Sequence, residues 1–472
     1  MKNTTLKQSL TPHQLEIFSR ITAQLEDIVQ TGMVWDNVLA LSGAAGTGKT
    51  YLTTAIVGAL HKNYTVTITA PTHKALRVIA YNMFIHGITD ISTKTIHSFL
   101  NIKLFTDYDK GIQKFVPEKT KKDQDKTDIL IVDESSMVSE DLYGFIMEAI
   151  EQERVKAVLF VGDYYQLLPV DSGKNSVIDV CHQYKLTEIV RQAKDSYIIR
   201  VASAARECIK KKSYTDLNTF FKTHMDERIT FFHNQQDFLE DFYAQENWGE
   251  GDQIITTFKN SDVDAYNRMV RRRYWEEKGI QNPPTLRKGD KIVFQSAYSI
   301  NGVLKYSNNE EITLSEAVKK TSDVLGIEYW ECKDAGDPSS QEIIRIVDPL
   351  SIKVFNDRLE LMAKMARKEK DYKKRKKMWE KFFAVKGFFA DVKYTYAATI
   401  HKLQGSTYET VYIDLFALAN NKRINMDQLY RLVYVAMTRA SKDIKILIPA
   451  FESVSIENIE ENFSMLFGDI NV

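Results

Sequence analysis

Cysteine is scarce in this chain: Cys181, Cys208 and Cys332 are the three among 472 residues. They lie far apart, and no CxxC pair or histidine-rich spacing accompanies them, which argues against a zinc site or a disulfide framework. Reduced thiols fit a cytosolic compartment. No run of about 18 apolar residues occurs, so no membrane-spanning helix is expected. The N-terminal stretch MKNTTLKQSLTPHQ has no apolar core, which leads us to expect no signal peptide and a cytoplasmic protein. Repeats and low-complexity segments are absent. So is any excess of charge, because Lys+Arg and Asp+Glu balance at 63 each. A protein that coats nucleic acid is usually basic overall. One that must release a polyanion repeatedly does better with its positive charge confined to a groove.

What is present is ample apolar sequence, 44% of residues, in a chain long enough for two to four domains. Apolar residues at helical spacing over 15–24 follow Thr11-Pro12, a helix-start signal. Residues 38–41 (VLAL), 66–70 (VTITA), 128–132 (DILIV) and 157–161 (AVLFV) read as buried strands. Strands alternating with helices imply a parallel sheet with crossover helices. Residues 99–127 break this pattern and read as a hairpin around a turn at 107–111, followed by a charged linker. A second α/β unit opens at 253–257 (QIITT) and resumes near 393–398 and 410–415. Short strands at 291–294, 311–314 and 342–347, then a basic helical region at 358–383, interrupt it. The expected fold is α/β, with two parallel-sheet lobes and an insertion in each.

Gly43-Ala44-Ala45-Gly46-Thr47-Gly48-Lys49-Thr50 matches GxxxxGK[ST] in full, between a strand and a helix. Backbone N–H groups of Gly43, Ala45, Gly46, Thr47 and Gly48 are expected to curl around phosphate oxygens. Lys49 is expected on the β- and γ-phosphates and Thr50 on Mg2+. Asp133-Glu134 follows the strand DILIV, which suits Asp133 to the metal and Glu134 to the base that activates water. ATP hydrolysis with Mg2+ is the expected chemistry.

A P-loop does not say what the hydrolysis is for. In order, the chain carries LTPHQ (10–14), the P-loop, APTHKA (70–75), TIHSF (95–99), VDES (132–135), GDYYQLLPV (162–170), LTEIVRQ (186–192), YAATIHKLQGST (396–407) and YVAMTRA (434–440). This series resembles superfamily 1 helicases of the subgroup containing RecD and Pif1, and most nearly the Dda-type helicases of T-even phages. It spans residues 10–440. The resemblance implies two RecA-like lobes: 1–98 with 128–190, and 191–285 with 390–472. The insertions would be a hairpin pin at 99–127 and, at 286–389, an SH3-like β-barrel with basic helices. It implies that Gln14 reads adenine, that Gln166 senses the γ-phosphate, and that Arg191 and Arg439 reach that phosphate from the far side of the cleft. Gly405 would let backbone approach the nucleotide or be a turn glycine. It also implies 5′-to-3′ movement on single-stranded DNA, in the host cytoplasm if the chain is phage-encoded. The working unit would be a monomer, with DNA forks, a single-strand-binding protein and replication proteins as candidate partners.

Strand ends supply the candidate track contacts. Pro71, Thr72, His73 and Lys74 follow one strand end, as do Thr95 and His97; Thr399, His401 and Lys402 follow another in the second lobe. Short hydroxyls, imidazoles and lysines suit phosphate contacts that do not read sequence. Phe99 is a candidate for base stacking, against the commoner fate of an aromatic in the core. Phe105 and Phe115 in the hairpin are candidates for a strand-separating aromatic, with Phe115 preferred. The run 364–383 holds ten Lys/Arg and one Trp, and reads equally as a strand guide or as a solvated helical face. Arg271-Arg272-Arg273 is open in the same way. The competing function is a single-strand translocase without efficient unwinding.

Overall fold

The computed structural model describes residues 6–32, 37–118, 125–167, 181–190, 196–224, 226–300, 303–337, 342–419 and 424–449. Runs such as ILIV and AVLFV have no polar alternation, so both of their faces must be covered. They form the middle of a six-stranded parallel sheet. Its order is β3 (Ser92–Thr95), β2 (Val66–Ala70), β6 (Thr127–Val132), β7 (Val155–Gly162), β1 (Val38–Gly43) and β8 (His182–Leu186). Alternate residues serve opposite faces. Leu39, Leu41, Ile129 and Ile131 pack under α1 (Pro12–Thr31), α2 (Lys49–Leu60) and α3 (His73–Ile85). Ala40, Leu130, Val158 and Phe160 pack against Ile146 and Ala149 of α4 (Glu140–Glu151). Helix α1 is twice the span expected. A capping box opens it, with Thr11 Oγ1 accepting from Gln14 N at 3.2 Å and Gln14 Oε1 accepting from Thr11 N at 3.1 Å. Gly32, at φ 65°, closes it.

The second parallel sheet runs β18 (Ala397–Thr399), β10 (Gln253–Thr257), β19 (Tyr408–Asp414), β20 (Ala440–Leu447) and β9 (Thr230–Phe232). One face packs on α5 (Tyr197–Lys211) and α9 (Met426–Met437). The other carries an aromatic core of Phe238, Phe242, Tyr266 and Tyr412, flanked by α6 (Asn260–Glu277). The arginine run of α6 is taken up internally. Arg271 pairs with buried Asp290 through two 2.8 Å hydrogen bonds, while Arg272–Glu276 and Arg273–Glu277 are 2.7 Å pairs one turn apart.

Between β10 and β18 lies an antiparallel sheet in the order β16 (Ile344–Val347), β15 (Ile327–Asp334), β14 (Glu311–Ser322), β11 (Lys291–Phe294) and β17 (Val392–Tyr394). A short pair, β12 (Tyr298–Ile300) and β13 (Val303–Tyr306), lies beside it. The basic region is two helices, α7 (Ile352–Lys368) and α8 (Tyr372–Gly387). They break where Asp371 caps α8 by accepting from Lys374 N at 2.8 Å. The first lobe projects an antiparallel hairpin, β4 (Ile102–Asp107) and β5 (Ile112–Pro117). Its turn rests on α8. A Cβ on Gly111 would lie 1.9 Å from the Trp379 ring, so only glycine fits there. Asp109 pairs with Arg375, and Lys376 sits 5.4 Å over the Tyr108 ring. Among the described residues no helix is long and apolar enough to cross a membrane.

Candidate active site

The P-loop leaves β1 at Gly43 and enters α2 at Lys49. Gly46 and Gly48 hold φ near +78° and +79°, which disfavours any residue with a Cβ. Gly43 is needed for another reason: a Cβ there would stand 2.5 Å from Thr47 Oγ1. Lys49 Nζ donates to Gly43 O at 2.7 Å and Ala44 O at 3.1 Å, so the ammonium lies across the loop. Thr47 Oγ1 donates to Ala44 O at 2.8 Å. Gln14 is buried beside this loop, and its amide donates to Thr47 O at 3.0 Å. With Oε1 already in the capping box, one N–H and one lone pair are left over for a ligand. Thr50 stands in the first turn of α2.

Asp133 and Glu134 follow the end of β6. Desolvation and the adjacent Glu134 charge push the Asp133 carboxyl up, against the pull of the Glu134 N–H and Lys49. Glu134 holds φ 50°, a left-handed conformation that strains a residue with a side chain. The end of β7 passes close by. A Cβ on Gly162 would meet Ser135 Oγ at 2.4 Å. Beyond Gly162, the turn at 163–166 brings in Gln166, whose Oε1 is buried with no hydrogen-bond partner among the described residues.

The second lobe meets this turn through α9. Arg431 Nη1 donates to Tyr164 O and Gln166 O, each at 2.8 Å. Tyr434 Oη donates to Asp163 Oδ2 and accepts from Ala45 N at 3.2 Å. Sequence reasoning missed these contacts; their trace was the placement of Arg431 and Tyr434 three residues apart on an amphipathic helix. Arg439 lies just past the same helix. It is 7% exposed and bonded within its own lobe, Nε to Val435 O at 3.2 Å and Nη1 to Ser406 O at 3.4 Å. Arg191 lies outside the described residues.

Three track candidates, Lys74, Thr399 and Lys402, line a second part of the interlobe cleft together with Glu311 and Lys393. Thr72 Oγ1 caps α3 through Ala75 N at 3.2 Å, beside Pro71 and the exposed His73. Lys74 donates to Tyr408 Oη at 3.2 Å and lies 3.5 Å from Glu311, both across the cleft. Burial works against its charge, but Tyr408 and Glu311 outweigh it and hold the pKa above the usual lysine value. Lys402 donates to Gln295 Oε1, and burial pulls its pKa down. His401 stands 6.3 Å from the Phe258 ring, its pKa lowered by burial, and Thr399 is buried at the start of the turn that carries both. In the first lobe Thr95 caps the turn holding His97, and His97 meets Phe115 edge-on at 5.9 Å.

One expectation needs correcting. Phe99 is 1% exposed in the first lobe's core, with Arg154 donating to its carbonyl at 2.9 Å, so it cannot stack on a base. Gly405, at φ +74° in a turn, fits the turn-glycine alternative; a Cβ there would stand 3.5 Å from Ala75 Cβ and 3.7 Å from Thr72 Oγ1. Phe105 and Phe115, the candidates for a strand-separating aromatic, stand on the hairpin strands away from the turn. The tip is docked on Trp379, and both phenylalanines lie on its exposed flanks, at 57% and 59%.

A Walker loop on one parallel sheet, with a carboxylate pair beside it and a second parallel sheet presenting an arginine-bearing helix, defines a two-lobed P-loop NTPase. Family profiles agree: an AAA domain matches residues 22–218 and a UvrD-like helicase C-terminal domain residues 394–446. The ATP-dependent DNA helicase dda of Enterobacteria phage T4 is 26% identical over 86% of this chain and 93% of its own. An uncharacterized protein of Acanthamoeba polyphaga mimivirus is 24% identical over 87% and 95% respectively. A Pif1 helicase structure from Bacteroides, in complex with ADP-AlF3 and ssDNA, aligns with TM-score 0.46 and 17% identity over 95% of this chain and 97% of that one. The two profiles and these relatives support a superfamily 1B helicase of the Pif1/RecD type, related to Dda.

Proposed function

We propose that the chain is an ATP-dependent DNA helicase that moves 5′-to-3′ on single-stranded DNA and opens duplex ahead of it. The observation that carries this reading is the meeting of both lobes at one cleft, with α9 of the second touching the P-loop and the Gln166 turn of the first. Nucleotide chemistry in such a cleft is felt by both halves of the molecule.

In this mechanism Lys49 exchanges the carbonyls of Gly43 and Ala44 for the β- and γ-phosphates. Thr50 and Asp133 would offer the hard oxygen donors that Mg2+ requires, and Mg2+ bound there would neutralise charge on the phosphates. Glu134 takes the proton of the attacking water. Gln166 reports the γ-phosphate to the turn at 163–166. Arg439 leaves Val435 O and Ser406 O to meet the charge on the transferring phosphoryl, joined by Arg191. Loss of the phosphate ends that attraction and lets the lobes part.

Thr72, Lys74, Thr399 and Lys402 hold the phosphate backbone from both lobes. The hairpin serves as the strand-separating pin, with Phe115 on the flank beside His97, and the antiparallel sheet with α7 and α8 forms the SH3-like insertion that braces it. Unwinding of duplexes carrying a 5′ or a 3′ single-stranded tail tests the whole reading, with Lys49→Ala as control. Opening of the 5′-tailed duplex alone is expected. Opening from 3′ tails alone would overturn the direction, and ATP turnover indifferent to DNA would overturn the function.

A further inference from the structure

The turn at 163–166 is gripped by the second lobe at two points on one face of α9. Arg431 holds two of its carbonyls, and Tyr434, three residues on, holds its carboxylate. Asp163 and Tyr434 are each 1% exposed. The Asp163 carboxylate has further partners: Tyr165 N donates to it at 3.1 Å, and Arg206 Nε of α5 lies 3.8 Å away. The Arg206 guanidinium also stands 4.5 Å over the Tyr165 ring. Burial and the charge of Asp163 push the Tyr434 phenol well above its ordinary pKa, so its proton stays on to be donated. The same oxygen accepts the Ala45 N–H of the P-loop. One hydroxyl thus joins the phosphate-binding loop, the turn bearing Gln166 and the helix that leads to Arg439.

We propose that Tyr434 is a positioning residue whose hydroxyl latches the P-loop to Asp163, so that movement of the second lobe along DNA sets the rate of hydrolysis in the first. This rests on the helicase reading above. The latch acts through backbone: a shift of α9 drags Ala45 and Asp163 together, and the Gln166 turn moves with them. Without the hydroxyl, the ring still fills its place in the core, but the two first-lobe segments no longer follow the second lobe as a unit. Affinity for ATP, set by the other N–H groups of the loop and by Lys49, is not what the latch controls.

The test compares wild type, Tyr434→Phe, Asp163→Asn and the double variant. Melting temperature is measured, along with kcat and KM for ATP, with and without a dT oligonucleotide. For Tyr434→Phe the ratio of DNA-stimulated to DNA-free kcat is expected to fall about tenfold or more, with KM for ATP within about twofold. The double variant is expected to be no slower than the worse single, because both changes break one link. A Tyr434→Phe protein with wild-type stimulation overturns the latch, as do single effects that multiply in the double. Should Tyr434→Phe fold poorly by melting, Asp163→Asn alone decides, by the same loss or retention of stimulation. Wild-type turnover that dT leaves unchanged would overturn the helicase reading itself, and the latch with it.

Discussion

Asp133 and Glu134 are neighbours in sequence with different surroundings, and the roles proposed for them follow that difference. The Asp133 carboxyl is pushed up to about 7 by desolvation and by Glu134. A folded-state pKa above the unfolded value means that unfolding releases a proton over the interval between them. Without metal or nucleotide, Asp133 therefore lowers stability as pH rises from about 4 to about 7. Asp133→Asn is expected to flatten that decline and raise the melting temperature at neutral pH while abolishing turnover; melting curves from pH 4 to 8 check this. Glu134 is held in a strained left-handed turn, a cost sustained where a carboxylate must be aimed. Glu134→Gln is expected to bind ATP and hydrolyse it about 10²–10⁴-fold more slowly; single-turnover rates near wild type would remove it as the base. The placement of this pair beside the P-loop lysine was legible because P-loop spacing and a strand-end acidic pair have few other uses. Phe99 was not legible. Its ring is buried by residues of distant elements, such as Leu130 and Ile146, whose approach is not visible in the local sequence.

Among the elements, the strands that sequence located well are those buried on both faces, such as 66–70 and 253–257, where β-branched runs leave no other option. Polar strands escaped. β3 is STKT and β8 is HQYKL, and each lies at a sheet edge where one neighbour and half-exposed faces suffice. The basic region hid its break because charge masks helical period, and the buried Trp379 within it had no partner visible from sequence. That partner is the hairpin turn, a contact between segments some 270 residues apart. The contact makes a prediction at this scale. Trp379→Ala removes a side chain 1% exposed, at a cost of about 3–5 kcal/mol to the packing around it. The hairpin loses its seat on α8 while the ATP site, in another part of the molecule, is untouched. DNA-stimulated hydrolysis is expected to persist and unwinding of a tailed duplex to fail. Equal loss of both would mean that α7 and α8 support the lobes rather than the pin.

Over the whole molecule, zero net charge and a lysine-lined groove fit together once the lysines' partners are counted. Lys74 is tied to Glu311 and Tyr408, and Lys393 to Asp264 at 2.8 Å. On the proposed reading, a phosphate that meets Lys74 or Lys393 must displace a carboxylate, which would weaken the grip on DNA enough for release in every cycle. Composition could not reveal this, because balance over 472 residues does not tell which charges face each other. Neutralising Z phosphates of a single strand gives a salt slope of about −0.7Z. Lys402→Ala should therefore shallow the slope of log affinity for dT oligonucleotide against log salt by about 0.7. Glu311→Gln should do the opposite to affinity. With its tie across the cleft removed, Lys74 is free to meet a phosphate, and binding should tighten while the rate of translocation falls. Binding titrations at several salt concentrations, paired with turnover on dT, separate the two effects. If Glu311→Gln weakened DNA binding instead, the Lys74–Glu311 pair would be shaping the groove rather than competing for it, and the release argued here would have to come from lobe opening alone.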